Sequence, residues 1–277
     1  MRAQSKMKMN KLNYIWRLVA TGICFMVFSL GALILGTLVF PALYLTPANT
    51  RARRARKIIC ITFGMFLRLM QLVGVLKLEI IGGDTLKAHP GALVLANHPT
   101  LIDVVALISL MPNANCVVKK ALWDNFFMGG VVRAANYISN DEPELLIQEC
   151  AEDMQHGNPL MIFPEGTRSI PGKPLKFRRG TAYIAMHGKM PVIPVLIKCT
   201  PPTLTKGEKW YKIPSEKAFL QIRVLDPILI NQWAKPDDSP AIAARQVTKK
   251  LEHYFTEALS THGSTTSRDQ ATHHQVA

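Results

Sequence analysis

Two short segments of this chain bring together residue types that move protons and hold anions. The first is Asn97-His98-Pro99-Thr100-Leu101-Ile102-Asp103. A carboxylate that accepts the Nδ1–H of an imidazole fixes its tautomer and leaves Nε2 free to take a proton from a substrate. Five residues apart on one continuous helix, His98 and Asp103 stand about 140° apart and do not meet. Pro99 biases His98 away from helical backbone. The spacing therefore predicts His98 on a loop and Asp103 in the first turn of the following helix. This is the His–Asp half of a triad, without a protein nucleophile. A capping or core pair uses the same two residues, and the motif alone leaves both readings open.

The second segment is Phe163-Pro164-Glu165-Gly166-Thr167-Arg168-Ser169, which leaves the apolar run Leu160–Phe163. Gly166 permits close backbone approach. Arg168 offers a planar fork suited to phosphate, and Thr167 and Ser169 add hydroxyls. Alone, the segment also reads as a turn held by a Glu–Arg pair.

Taken together, in this order and about 60 residues apart, the two motifs resemble the glycerolipid acyltransferase family, best known for its 1-acylglycerol-3-phosphate acyltransferases. Met190-Pro191-Val192-Ile193-Pro194-Val195 is similar to that family's V-P-[IV]-x-P-[VI] block. Lys176-Phe177-Arg178-Arg179-Gly180 resembles the basic stretch after its E-G-T-R motif. The resemblance covers roughly residues 78–201 together with the N-terminal apolar segment.

The resemblance implies a membrane-bound O-acyltransferase of phospholipid biosynthesis. His98 would be the general base on an acceptor hydroxyl, oriented by Asp103. The hydroxyl would attack an acyl thioester carried by coenzyme A or acyl carrier protein. Glu165, Gly166, Thr167, Arg168 and Ser169 would hold the acceptor, with Arg168 on its phosphate. Lys176, Arg178 and Arg179 are candidate donor or phosphate contacts, and Lys119 and Lys120 are further cations open to donor phosphate, anionic lipid or solvent. No metal and no redox cofactor is implied.

One block departs from the family. Its G-x-[IVF]-[FIV]-[IVF]-x-R pattern aligns with Ala134–Asn140, so Asn140 stands where an acceptor-binding Arg is usual. Arg133 is a possible substitute. The departure raises an alternative acceptor, another lyso-lipid or lipid-like alcohol. A non-catalytic lipid-binding protein on the same fold is the reading outside enzymology, and the intact His98, Asp103 and F-P-E-G-T-R-S block weighs against it. A G-x-S-x-G elbow, which most α/β-hydrolases use, is missing from the sequence.

The elements that must position these residues follow from pattern. Short β-like runs (Lys77–Ile81, Ala92–Ala96, Cys116–Lys119, Tyr137–Ser139, Leu160–Phe163, Val192–Ile197, Ala218–Leu225) alternate with helical stretches (Ile102–Met111, Asp141–Gln155, Gly180–His187, Ala241–Leu259). The alternation predicts an α/β fold, a central mixed sheet flanked by helices, over residues 77–260. The polar tail, 261–277, is expected to be disordered, and its His273–His274 pair reads as solvated rather than metal-binding.

In front of that domain, residues 1–76 form a basic and apolar helical segment expected to be membrane-embedded. The chain has 277 residues, 33 Lys and Arg against 19 Asp and Glu, and a net charge of +14. Twelve of the bases and none of the acids lie before Glu79. Nucleic-acid binding predicts cations on a folded face with stacking aromatics. Here they bracket 33 uncharged residues between Arg17 and Arg51, which points to anionic lipid headgroups and to no nucleic-acid partner. The run is long enough to cross a bilayer and too long for a cleaved signal peptide. Ile58–Leu76, broken only by Arg68, reads as interfacial. A span followed by a surface helix, or a helical pair bent near Gly31, Gly36 or Pro41, both fit, and the balanced flanking charge favours the pair. Five scattered Cys without a C-x-x-C pair read as buried small hydrophobes. Acyl thioesters are cytosolic, so the expected location is a bacterial inner membrane with the catalytic domain on the cytoplasmic face. Oligomeric state is left open.

Overall fold

A computed structural model describes residues 11–235 and 237–272. Arg2, Lys6, Lys8 and the His273–His274 pair lie outside them. In chain order the elements are α1 (Lys11–Ile34), α2 (Phe40–Ala42), α3 (Ala48–Leu72), β1 (Leu76–Ile81), α4 (Asp84–Ala88), β2 (Leu93–Ala96), α5 (Asp103–Ile108), β3 (Asn115–Val118), α6 (Lys120–Trp123), α7 (Gly129–Ala134), β4 (Ile138–Ser139), α8 (Pro143–Gln155), β5 (Leu160–Ile162), α9 (Arg179–Gly188), β6 (Val192–Thr200), β7 (Ala218–Val224) and α10 (Pro240–Thr272).

The seven strands form one mixed sheet in the order β1-β7-β6-β2-β5-β3-β4. Only the β6–β7 pairing is antiparallel, so β2, β3, β4, β5 and β6 all point the same way. Their carboxyl ends therefore share one edge, where open α/β sheets bind ligands. Along β2, alternation sends Leu93 and Leu95 into one core and Val94 and Ala96 into the other. The first core also takes Ile184 of α9 and Val247 and Phe255 of α10. The second takes Leu107 of α5, Val132 of α7 and, from the N-terminal helices, Cys24, Ile59, Leu67 and Met70.

That second core changes the expected division at residue 76. The N-terminal helices form part of the interior of the α/β unit, because apolar side chains that suit lipid suit a protein core equally well. α1 and α3 run antiparallel: Trp16 Nε1 donates to Val73 O at 3.0 Å, joining the start of one to the end of the other. The bend between them lies where Gly36 and Pro41 stand. Leu35–Val39 is a π-helical turn and Leu43–Leu45 a 3₁₀ turn. Gly36 meets Gly130 of α7 backbone to backbone, and a Cβ on Gly130 would lie 3.0 Å from Gly36 Cα. Arg56 is buried and ties α3 to the domain, donating to Ala135 O at 2.9 Å and pairing with Asp153 at 3.6 Å.

The tail also differs from expectation. α10 continues to Thr272, so 261–272 are helical rather than disordered; they extend an amphipathic helix with no proline to stop it. Among the cysteines, Cys24, Cys60, Cys116 and Cys150 are buried and Cys199 is half-buried, all as free thiols. Burial pushes the Cys116 and Cys150 thiols up to about 12, so they behave as packing residues.

Candidate functional site

The loop after β2 carries His98, and Asp103 is the first residue of α5. His98 Nδ1 lies 2.9 Å from Asp103 Oδ2, as the spacing predicts. Asp103 is fully buried, whereas 14% of the His98 side chain reaches solvent. The carboxylate has two further donors on Thr100: the backbone N–H to Oδ2 and the hydroxyl to Oδ1, each at 2.7 Å. Burial pushes the Asp103 carboxyl up, against the lowering effect of the hydrogen bonds from His98 and Thr100. With Oδ2 accepting from Nδ1–H, Nε2 keeps its lone pair.

The loop after β5 closes over the back of His98. Glu165 Oε1 accepts the His98 backbone N–H at 3.0 Å and the Ser169 hydroxyl at 2.7 Å. The Ser169 N–H donates to His98 O at 2.7 Å. The Phe163 ring stacks on the imidazole, with centroids 4.1 Å apart and planes 21° from parallel. Glu165 and Ser169, expected on the acceptor, are thus engaged in holding the histidine. Glu165 is buried. Gly166 takes the left-handed backbone that favours glycine, φ +65°, and the stem of Arg178 lies over it, with Cγ 3.5 Å from where a Cβ would stand. The Arg178 N–H is tied to Pro164 O at 2.7 Å. Lys176 and Arg179 are exposed nearby in sequence.

A third segment, the loop after β6, was not apparent from residue types. Arg168 Nη1 donates to Leu204 O at 2.8 Å and Thr205 O at 3.0 Å. Part of the Arg168 fork is therefore spent on backbone, which aims the remainder. Leu204 O also accepts Leu101 N–H at 3.2 Å. Asn97, buried, clasps both main-chain groups of Ile197 at 2.8 Å and so fixes where the His98 loop leaves the sheet. Thr100, Phe163 and Asn97 are site residues that sequence reasoning left unassigned. Thr100 and Asn97 lie inside or beside the first motif, and that adjacency was the available signal.

At the far end of the edge, Asn140 Oδ1 accepts the Lys120 N–H at 3.2 Å, starting α6. Lys120 pairs with Asp141 at 3.2 Å in solvent. Arg133 donates to Trp123 O, so it is engaged with α6 and not held toward the histidine. Among the described residues no group of three or more His, Cys, Asp and Glu could hold a metal ion.

Phe163 gives a direct test of this packing. Phe163→Leu removes the stack while keeping an apolar side chain. The expected result is a fall in kcat of about 3- to 10-fold, from the roughly 0.5–1.5 kcal/mol carried by an aromatic pair, with KM unchanged. Phe163→Tyr should restore kcat. Steady-state kinetics with a pH profile checks it.

This arrangement defines a base-and-orienter site on a PlsC-like α/β fold. Residues 77–198 match the family model described as Acyltransferase. The chain is 25% identical over 189 residues to the sheep 1-acyl-sn-glycerol-3-phosphate acyltransferase alpha, covering 65% of this chain and 63% of that one. It is 29% identical over 219 residues to the Helicobacter pylori 1-acyl-sn-glycerol-3-phosphate acyltransferase, covering 76% and 85%. In fold it is like the crystal structure of the 1-acyl-sn-glycerophosphate (LPA) acyltransferase PlsC from Thermotoga maritima, with a TM-score of 0.66 and 20% identity over 88% of this chain and 98% of that chain. The chain is similar to glycerolipid acyltransferases across this region. It spans 60–64% of the length of the mammalian relatives it matches.

Proposed function

We propose that this protein is a membrane-bound acyltransferase that moves a fatty acyl group from an acyl thioester to the hydroxyl of 1-acylglycerol-3-phosphate or a related lyso-lipid. The observation that carries the reading is the 2.9 Å contact between His98 Nδ1 and a fully buried Asp103. His98 Nε2 takes the acceptor hydroxyl's proton as the oxygen attacks the thioester carbonyl. Asp103 holds the ring and stabilises the imidazolium that forms. The tetrahedral intermediate then expels the thiolate, which leaves with the proton that His98 returns. Neither a metal nor a redox group takes part in this route. The donor is acyl-CoA or acyl carrier protein.

The acceptor's anionic group is proposed to bind near Gly166, with the Arg178 side chain that lies over it and the free part of the Arg168 fork as its cation partners. Arg178→Ala is expected to raise KM for a phosphate-bearing acceptor about 10-fold with kcat nearly unchanged, the scale of one charge-assisted hydrogen bond. Titrating acceptor in the two proteins measures it. A second reading, a different acceptor, is favoured by Asn140, which supplies no charge and is occupied by Lys120.

The membrane setting rests on α1. Lys11–Leu45 is apolar and long enough to cross a bilayer, yet 17% of its most apolar part is buried in protein. Leu30, Ile34 and Leu38 face outward. Because α1 and α3 are antiparallel and packed on the domain, the pair is proposed to lie in one leaflet. The host membrane is proposed to be a bacterial inner membrane, with the site on its cytoplasmic face.

The deciding experiment offers purified protein each acyl carrier against a panel of lyso-lipids and lipid alcohols. His98-dependent product from lysophosphatidic acid supports the first reading. His98-dependent product only from another acceptor supports the second. His98-independent or absent transfer throughout overturns both.

A further inference from the structure

We infer that the tip of the loop joining β6 to β7, Lys206–Lys212, is a docking surface for anionic lipid headgroups at the open end of the α1–α3 pair. The inference rests on the membrane reading above and adds the element that senses lipid charge. The tip reads Lys-Gly-Glu-Lys-Trp-Tyr-Lys. Its single acid, Glu208, is turned inward, with Oε2 accepting from Thr205 N–H at 3.1 Å and the Thr205 hydroxyl at 3.3 Å. Three lysines against this one acid leave the tip with a net positive charge.

The tip sits against the foot of α1. Tyr14 lines one polar hollow with Lys206, Glu208, Lys209, Tyr211 and Lys212. Trp210 rests on Gly22 and has its ring centroid 5.8 Å from that of Phe25. Trp16, Trp210 and Tyr211 are 54%, 45% and 48% exposed. Half-exposed Trp and Tyr around the base of an apolar helix mark the level of a bilayer's polar–apolar boundary. Lysines beside them reach headgroups while their stems stay against apolar surface.

The loop strengthens the charge pattern of the helices. At its other end the pair has Arg53, Arg54 and Lys57 exposed at the start of α3. At the foot, Arg17 is only 6% exposed. It is spent on Pro214 O at 3.1 Å, on Ser215 O and on Asn13 Oδ1 at 2.9 Å. Lys11 and Arg68 are exposed toward this end, and the loop adds Lys206, Lys209 and Lys212 to them. The same loop, through Leu204 and Thr205, holds Arg168, so headgroup contact lies one residue from the backbone that aims the site's arginine.

The test uses the full chain and the variant Lys206→Gln/Lys209→Gln/Lys212→Gln. Co-sedimentation is measured with vesicles of phosphatidylcholine alone and of phosphatidylcholine with phosphatidylglycerol. The expected result is about 100-fold weaker partitioning of the variant to the anionic vesicles, unchanged partitioning to the neutral ones, and an unchanged circular dichroism spectrum. Equal binding of parent and variant to anionic vesicles overturns this inference alone. Failure of the parent to bind either vesicle overturns the membrane reading with it. A variant that binds anionic vesicles normally but loses turnover only with acyl carrier protein as donor makes the tip a dock for that acidic protein, and this too overturns the inference.

Discussion

Replacing His98 with alanine is expected to slow acyl transfer by about three to four orders of magnitude, the upper range for loss of a positioned base, while vesicle binding stays intact. The side chain is only 14% exposed and lies over Phe163 rather than against the apolar helices, so its removal leaves the membrane-facing surface untouched. Asp103→Asn should cost a comparable factor, because an amide favours the wrong tautomer in an otherwise unchanged site. The two residues act as one unit, so the double variant is expected to be little slower than His98→Ala alone. Single-turnover rates on the three variants check this. A double variant slowed by the product of the single effects would show that Asp103 works apart from His98.

Deleting residues 1–57 is expected to destroy the fold rather than release a soluble enzyme. The apolar composition of the N-terminal segment suggests a detachable anchor, but Cys24, Phe40 and Ala55 belong to the core that includes Val94, Ile193 and Leu220. Phe40 is 2% exposed and Ala55 completely buried. Losing Phe40 alone corresponds to about 3–5 kcal/mol. Losing Arg56 leaves Asp153 without its ion pair and Ala135 O without its donor. Stripping α1 also uncovers Ile59. These losses together are of the same order as the roughly 5–15 kcal/mol by which domains are stable. The truncated chain should appear as aggregate on gel filtration, with the cooperative thermal transition gone. A monodisperse, folded product would show that the α/β unit holds its own core.

The sequence made some of this site readable because each readable part is local. His98 and Asp103 are joined by a turn whose geometry follows from Pro99 and from a five-residue spacing. Ala92–Ala96 and Val192–Ile197 reveal themselves as strands through buried apolar runs. Other parts depend on pairs distant in the chain. Arg168 is aimed by the carbonyls of Leu204 and Thr205, and a carbonyl has no residue identity to read. Glu165 and Ser169 have side chains suited to a substrate, yet they bind the main chain of His98 and each other. α6 and α7 have four and six residues, too short for a helical period to show. The N-terminal segment is the most instructive case, since lipid and protein interior select the same side chains.

The Gly36–Gly130 contact sets a fixed altitude. Neither residue has a side chain to compress or slide, and the backbones already meet, so the helical pair cannot ride up or down along α7 without separating from it. With the pair seated in one leaflet as proposed, His98 would stand at one height above the lipid, whatever the acceptor. The proposed enzyme would not reach for its substrate. A lyso-lipid would carry its own hydroxyl up to that height, and headgroups too short or too tall for the gap would be excluded before any side chain recognised them.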